Sequence, residues 1–372
     1  MPSSKNSTFR YAIIGCAAGI APLHLQALAQ LPASAAQIVG MSDINAERGA
    51  ARAAESKSPF FVDHREMLER TKPDIAVICT PHPFHAPLAI DCFVAGAHVL
   101  TEKPIAVEVQ EADKMIAAAE AAGRLLAINF QQRFRPAVEK ARALIDAGEI
   151  GPLVRTLCLE PWFRPAAYYR SASWRGTWKG EGGGVLMNQA PHTLDILCHL
   201  AGLPTKVWGW TRTRVHQMEC EDSAQAMFEY PNGAPGYFTA STVEAGVQSR
   251  LQVIGDKGAL ELVGDQLTLY HFDPSLPEHR LNATEMFSSP TVKSEIINVP
   301  EGNGGGHLAI YRDLQHAIAE GRRPRIDGRE ALMSLELANA IVLSSYTDRA
   351  VTLPLDRAAY AALLNDLRAG RK

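Results

Sequence analysis

Lys103 is placed to exchange a proton. It follows the apolar run His98-Val99-Leu100-Thr101, which reads as a buried strand, and Pro104 comes directly after it. Proline cannot donate to a sheet ladder and pushes the preceding residue toward extended backbone. Glu102-Lys103-Pro104 therefore ends a strand with the lysine at its carboxyl end, where ligands sit in an open α/β sheet. A lysine there can anchor a hydroxyl and take or return its proton. A second group of residues suits a dinucleotide. An apolar strand over 11–15 runs into Gly15-Cys16-Ala17-Ala18-Gly19-Ile20-Ala21. This is a glycine turn ahead of a helix, where a pyrophosphate can approach backbone N–H groups. The turn departs from G-x-G-x-x-G, because Ala17 and Ala18 stand where a middle glycine is expected. Asp43 ends the next strand. Its carboxylate can accept ribose hydroxyls and repels a 2′-phosphate, which predicts NAD and disfavours NADP.

Two further segments carry chemistry-bearing residues. Cys79-Thr80-Pro81-His82-Pro83-Phe84-His85 follows another strand and faces the same cleft. Cys79, His82 and His85 have metal-like spacing, but no fourth ligand is near in sequence and two prolines constrain the loop. No metal is expected there. The stretch 161–178 gathers Trp162, Trp174 and Trp178 with Tyr168, Tyr169, Arg164 and Arg175. Aromatic faces over a sugar ring and arginine forks to hydroxyls or an anionic group would make a carbohydrate site. A plain aromatic core patch is the competing account.

The elements that must position these groups change character along the chain. Up to residue 130, short apolar strands alternate with alanine-rich helices, the pattern of a doubly wound parallel sheet covered on both faces. Beyond it, longer alternating strands are joined by turns such as Pro231-Asn232-Gly233 and Gly255-Asp256-Lys257-Gly258. They predict an α+β domain with a large, open, mainly antiparallel sheet, one face packed by helices over 190–201, 308–320 and 329–345. A large free face would be an oligomer surface. The stretch 273–306 is rich in Pro, Ser and Gly and is expected to be a long mobile connection. The domains are set at 1–130, 131–355 and a helical tail at 356–372.

With 372 residues and 47% apolar composition, the chain can build two cores. Its net charge of −3 and scattered basic residues argue against a nucleic-acid partner. The six cysteines form no C-x-x-C pair, which predicts buried free thiols in a reducing compartment. The polar start, residues 1–8, shows no cleavage site, and the apolar stretch after it is too interrupted for a span. No membrane association is expected, and the location is expected to be cytoplasmic.

In order along nearly the whole chain, these motifs resemble the Gfo/Idh/MocA oxidoreductases. The likeness rests on the turn at Gly15 with His24, on Thr80-Pro81 with His85, and on Ala95 to Pro104 with its Glu-Lys-Pro. It continues through Arg133-Phe134-Arg135-Pro136, Gly148-Glu149-Ile150-Gly151 and Gly182 to Asp195, and ends with Ser344-Ser345-Tyr346 and Val351-Thr352-Leu353-Pro354. The resemblance implies an NAD-binding Rossmann domain followed by an open-sheet domain, and a homodimer or homotetramer formed through that sheet. It implies hydride transfer between a nicotinamide and a small carbohydrate, polyol or related compound. Lys103 and His192 map to the family's lysine and histidine. Asn188 stands four before the histidine, where many relatives have aspartate. The cofactor contacts implied are Gly15, Ala17, Ala18, Gly19, Ile20, Ala21, Asp43, Thr80, Pro81, His82, His85, Glu102, Lys103, Gln131, Trp174 and Arg175. The substrate contacts implied are Lys103, Trp162, Arg164, Tyr168, Tyr169, Arg175, Asn188 and His192.

Oxidising an alcohol needs a hydride acceptor and a base. Pro191 suits the first turn of a helix, which puts His192 near the positive end of the helix dipole and favours its neutral form. Asp195, three residues on, could orient the ring or bind elsewhere. His199 reads as structural. Asn188 can hold a hydroxyl by donating and accepting but cannot relay a proton. The expected activity is oxidation of a ring hydroxyl of a sugar, glycoside or cyclitol, with room for an anionic group. The alternative is an NAD-dependent glycosidase that oxidises C3 transiently and eliminates the aglycone.

Overall fold

The computed structural model describes residues 8–371, so the first seven residues of the polar start lie outside it. Two compact units account for the chain. One runs up to Gln131 and takes in Gly305–Leu332; the other holds Gln132–Gly304 and the chain from Met333 onward. The return of Gly305–Leu332 to the first unit departs from the expected division at residue 130. The helix His307–Glu320 within it buries Leu308, Ile310, Tyr311, Leu314 and Ala317. It packs on Ala21–Ala29, and Gln315 donates to the Tyr11 hydroxyl at 3.0 Å.

The first unit is built on six parallel strands: β1 (Phe9–Ile14), β2 (Ala36–Ser42), β3 (Phe60–Phe61), β4 (Ile75–Ile78), β5 (His98–Thr101) and β6 (Leu126–Ile128). Their order is β3-β2-β1-β4-β5-β6, which reverses direction between β1 and β4. Ile75 to Ile78 are all buried, as a central parallel strand covered on both faces requires. Helices start where side chains cap them: Asn45 accepts from the Arg48 N–H, and Asp63 from the Arg65 N–H.

The second unit carries a nine-stranded sheet: β7 (Leu153–Pro161), β8 (Lys206–Arg212), β9 (Ser223–Glu229), β10 (Pro235–Ser241), β11 (Arg250–Gly255), β12 (Gly258–Val263), β13 (Gln266–Asp273), β14 (Thr291–Ile297) and β15 (Val351–Thr352). The order is β14-β13-β12-β11-β7-β10-β9-β8-β15, antiparallel except where β10 runs parallel to β7. Along β8, β9 and β10 the side chains alternate. Val207, Phe228 and Phe238 are buried, while Trp208, Met227 and Tyr237 face outward in one register row. The stretch 273–306 is more ordered than its composition suggests. A capping box between Ser275 and Glu278 starts the helix Leu276–Asn282, and Thr291–Ile297 adds the edge strand β14. The tail forms the helix Arg357–Arg368, capped by Asp356. All six cysteines are buried and free. Among the described residues, no helix is long and apolar enough to cross a membrane.

Candidate active site

In the first unit the carboxyl ends of neighbouring strands supply the groups singled out above. Gly15 follows β1 with a φ of +82°, and a Cβ there would lie 2.8 Å from the Thr80 methyl group beyond β4. Only glycine fits that approach. Past the turn, the helix Ala21–Ala29 begins at Ile20 with no side-chain cap, and a Cβ on Gly19 would meet nothing within 4 Å. An open, uncapped helix start suits a pyrophosphate. Asp43 is in place after β2, but its oxygens also work locally. Oδ2 accepts the Ala17 N–H at 2.8 Å and Oδ1 accepts the Asn45 N–H at 2.8 Å. The helix cap is Asn45, so Asp43 ties the glycine turn to the end of the second strand. These residues fit a dinucleotide.

Beyond β5, Glu102 turns inward rather than toward a ligand. Its Oε1 takes the His24 Nε2 at 2.8 Å and the Asn129 amide at 2.5 Å, with His307 Nε2 at 3.6 Å. Tyr311 holds the other His24 nitrogen at 2.8 Å. Burial alone would raise the Glu102 pKa, but the hydrogen bond from His24, the His307 imidazole 3.6 Å away and the charges of His24 and Lys103 outweigh it. The carboxyl is held well below its ordinary range. The ligand atoms of His24, Glu102 and His307 lie within 4.8 Å of one another, a spacing a metal could use. Within that group His24 hydrogen-bonds the Glu102 carboxylate.

His85 is buried, and its ring nitrogens reach the carbonyls of Pro104 and Thr80 at 2.8 and 2.9 Å. It braces the Lys103-Pro104 turn, whose peptide is cis, against the end of β4. Burial pushes its pKa down. His82 is buried beside it, the rings 5.8 Å apart.

In the second unit, Asn188 ends the helix Val185–Asn188 and His192 lies in the first turn of Pro191–Ala201, with Pro191 at its start. The Asn188 amide donates to Glu181, which is 1% exposed and also accepts the Gly176 N–H at 2.6 Å. That bond takes one of the two N–H donors of the amide. The glycine run is there for clearance. A Cβ on Gly184 would strike the backbone carbonyl of Glu221, whose Oε1 accepts the N–H groups of Gly184 and Leu186 at 2.9 and 3.0 Å. Of the two roles open to it, Asp195 takes the second and binds elsewhere. Both of its oxygens accept from Arg133 at 2.7 Å in a buried bidentate pair, so it fixes the helix rather than the His192 ring. His199 is structural, its carbonyl held by Arg142 at 2.8 Å.

The aromatic stretch is in part core. Trp178 is 1% exposed and belongs to the core. Arg175 lies over Tyr168 and Trp174, 4.2 and 4.5 Å from the ring centroids, and donates to the Tyr168 hydroxyl at 2.5 Å. Arg164 lies over Trp162 and Tyr168. Tyr169 donates to Thr242 at 2.9 Å. The arginines are thus held face-on to the rings rather than extended as forks. Sequence reasoning missed Glu181, whose one signal is an acid set between Gly180 and Gly182. It also missed Glu160, Glu221 and the role of His24, which depend on neighbours distant in sequence.

Residues 9–130 match a family described as "Oxidoreductase family, NAD-binding Rossmann fold", and residues 138–261 match its GFO/IDH/MocA C-terminal domain. The chain is 29% identical over 238 residues to trans-1,2-dihydrobenzene-1,2-diol dehydrogenase of Mus musculus, covering 63% of this chain and 69% of that one. It is 27% identical over 307 residues to scyllo-inositol 2-dehydrogenase (NAD(+)) of Bacillus subtilis, covering 80% and 82%. The solved structure of the WlbA dehydrogenase from Bordetella pertussis, in complex with NADH and UDP-GlcNAcA, superposes with a TM-score of 0.80. The identity is 28%, over 94% of this chain and all of that one.

Proposed function

Because the chain belongs to the Gfo/Idh/MocA oxidoreductase family, we propose that it oxidises a ring hydroxyl of a sugar, glycoside or cyclitol with NAD, Lys103 and His192 exchanging the proton. One observation carries the reading. The Gly15 turn, Asp43, Thr80 and Lys103 all follow carboxyl ends of adjacent strands of one sheet, across its reversal between β1 and β4. Bound NAD supplies the hydride acceptor. Lys103 anchors the hydroxyl and accepts its proton. His192, near a helix start, is favoured as a neutral acceptor. Asn188, whose amide also donates to Glu181, holds a substrate hydroxyl by donating and accepting. Trp162, Tyr168 and Tyr169 offer ring faces. The relatives support the substrate class, one being a cyclitol dehydrogenase and another holding a sugar nucleotide beside NADH. The outward row Trp208, Met227 and Tyr237 is assigned to an interface between copies of the chain in a dimer or tetramer.

The test is a panel of sugars, inositols and aryl glycosides with NAD, following both NADH and released aglycone. Stoichiometric NADH supports the dehydrogenase; aglycone release without net NADH would replace it with a glycosidase. Lys103→Met should lower kcat/KM by about 10²–10⁴ with unchanged melting. A loss smaller than tenfold would remove Lys103 from the proton path.

A further inference from the structure

The second unit holds a cavity of about 200 Å³ at the end of β7, lined by Gln132, Arg135, Glu160, Trp162, Thr193 and Ser249 over a floor of aliphatic side chains. At about 30 Å³ per water, that is room for roughly six waters. It is smaller than the roughly 300–1,000 Å³ of a whole ligand site, so it suits one end of a molecule. Thr193 directly follows His192, and Trp162 is one of the expected substrate contacts, so the cavity adjoins the residues assigned to substrate.

Its one acid is built in. Glu160 is 4% exposed. The Thr193 hydroxyl donates to Oε2, and so does Ser249 at 2.8 Å. Among the described residues, none donates to Oε1. The one guanidinium at the cavity is committed elsewhere: Arg135 donates to Asp265 at 2.8 Å and to the Gly264 carbonyl. A carboxylate or phosphate entering the cavity would meet Glu160 with no free cation to offset it. Burial pushes the Glu160 pKa up, against the pull of Thr193, Ser249 and Arg135. What remains is an acceptor oxygen, an amide, a hydroxyl pair and an indole, the set that recognises a neutral, hydroxyl-bearing ring.

We propose that this cavity is a subsite for the uncharged hydroxyls of the substrate ring, with Glu160 Oε1 accepting from one of them and selecting against an acidic group at that end. The proposal rests on the carbohydrate reading above and narrows it: an anionic part of a substrate, if present, lies outside this subsite.

The probes are D-glucose, myo-inositol and D-glucuronate, titrated by saturation-transfer NMR into the protein carrying NADH. The wild type should bind a neutral ring more tightly than the uronate. Glu160→Gln should weaken neutral-ring binding about tenfold, as loss of a hydrogen bond to a charged group does, and narrow the gap to the uronate. Ile196→Phe, which fills the cavity from the helix side while leaving Glu160 in place, should weaken it by at least as much. Melting curves establish that each variant is folded, and either variant suffices. The proposal is overturned if no neutral ring binds, if the uronate binds best, or if a folded variant keeps its affinity within twofold. Neutral-ring binding that depends on Glu160, without NADH formation from any panel compound, would keep the subsite and defeat the dehydrogenase.

Discussion

Glu102 in the first unit and Glu221 in the second are both shut away from water, and their environments drive them to opposite charge states. Glu102 is met by two imidazoles and an amide, with Lys103 next in the chain, and is held ionised. Glu221 is met by two backbone N–H groups and the nearby charge of Glu181. Burial wins there and its pKa is pushed up to about 7. Burial raises the pKa of both acids. The difference lies in what faces them: groups that carry or share a proton keep a carboxylate charged, whereas peptide dipoles do not keep this one charged at low pH. The first arrangement puts fixed negative charge beside Lys103. The second puts a titrating group under the loop that carries Asn188 and His192.

Three substitutions break or sharpen this contrast. The largest effect is expected for Glu102→Gln. It leaves His24 and His307 facing a neutral group, and should cost about 2–4 kcal/mol of unfolding free energy at pH 7. The folded pKa of Glu102 is depressed, so its contribution is present above about 4.5 and is lost only as pH falls through the lower folded value. The deficit should therefore persist from pH 5 to 8 in denaturant titrations. A variant as stable as wild type would mean the charge contributes nothing.

Glu221→Gln should do the reverse. The folded pKa is raised from 4.5 to about 7, so the protonated form's stabilisation is complete below about 4.5 and is lost as pH rises through 7. The wild type should lose up to about 3 kcal/mol between pH 5 and 8.5, at about 1.4 kcal/mol per pH interval of one. Glu221→Gln should not lose it, and should be the more stable protein at pH 8.5. Equal slopes for the two proteins would show that Glu221 does not titrate there. The smallest effect is at the strand ends. Asp43→Ser should relax the preference for NAD over NADP by about tenfold, or about 1.4 kcal/mol. An unchanged ratio would leave Asp43 only its bonds to Ala17 and Asn45.

The parallel sheet was legible because each of its strands is a short apolar run bounded by a helix, and Lys103 because proline punctuates the strand before it. The nine-stranded sheet was legible from alternation in β8 to β13. Its central strand β7 was harder to see, since Arg155, Glu160 and Pro161 break its apolar run, and β14 is exposed on nearly every residue. The return of Gly305–Leu332 to the first unit depends on Tyr311 and Gln315 finding His24 and Tyr11, contacts nearly three hundred residues apart that no local pattern announces. The site divides in the same way. The candidate residues at strand ends carry local signals, whereas the pairing of Asp195 with Arg133, 62 residues away, has none. The surroundings of Glu102 are equally silent in sequence: its partners come from three other segments.

The most direct test of the contrast is a ¹³C NMR titration of the glutamate carboxyl carbons, with Glu102 and Glu221 assigned from the two glutamine variants. The Glu102 signal should stay at the ionised position from pH 8 to below pH 4.5, and the Glu221 signal should move with a midpoint near 7. Two signals titrating together near the ordinary glutamate value would contradict the claim that their partners, rather than burial alone, set their charge.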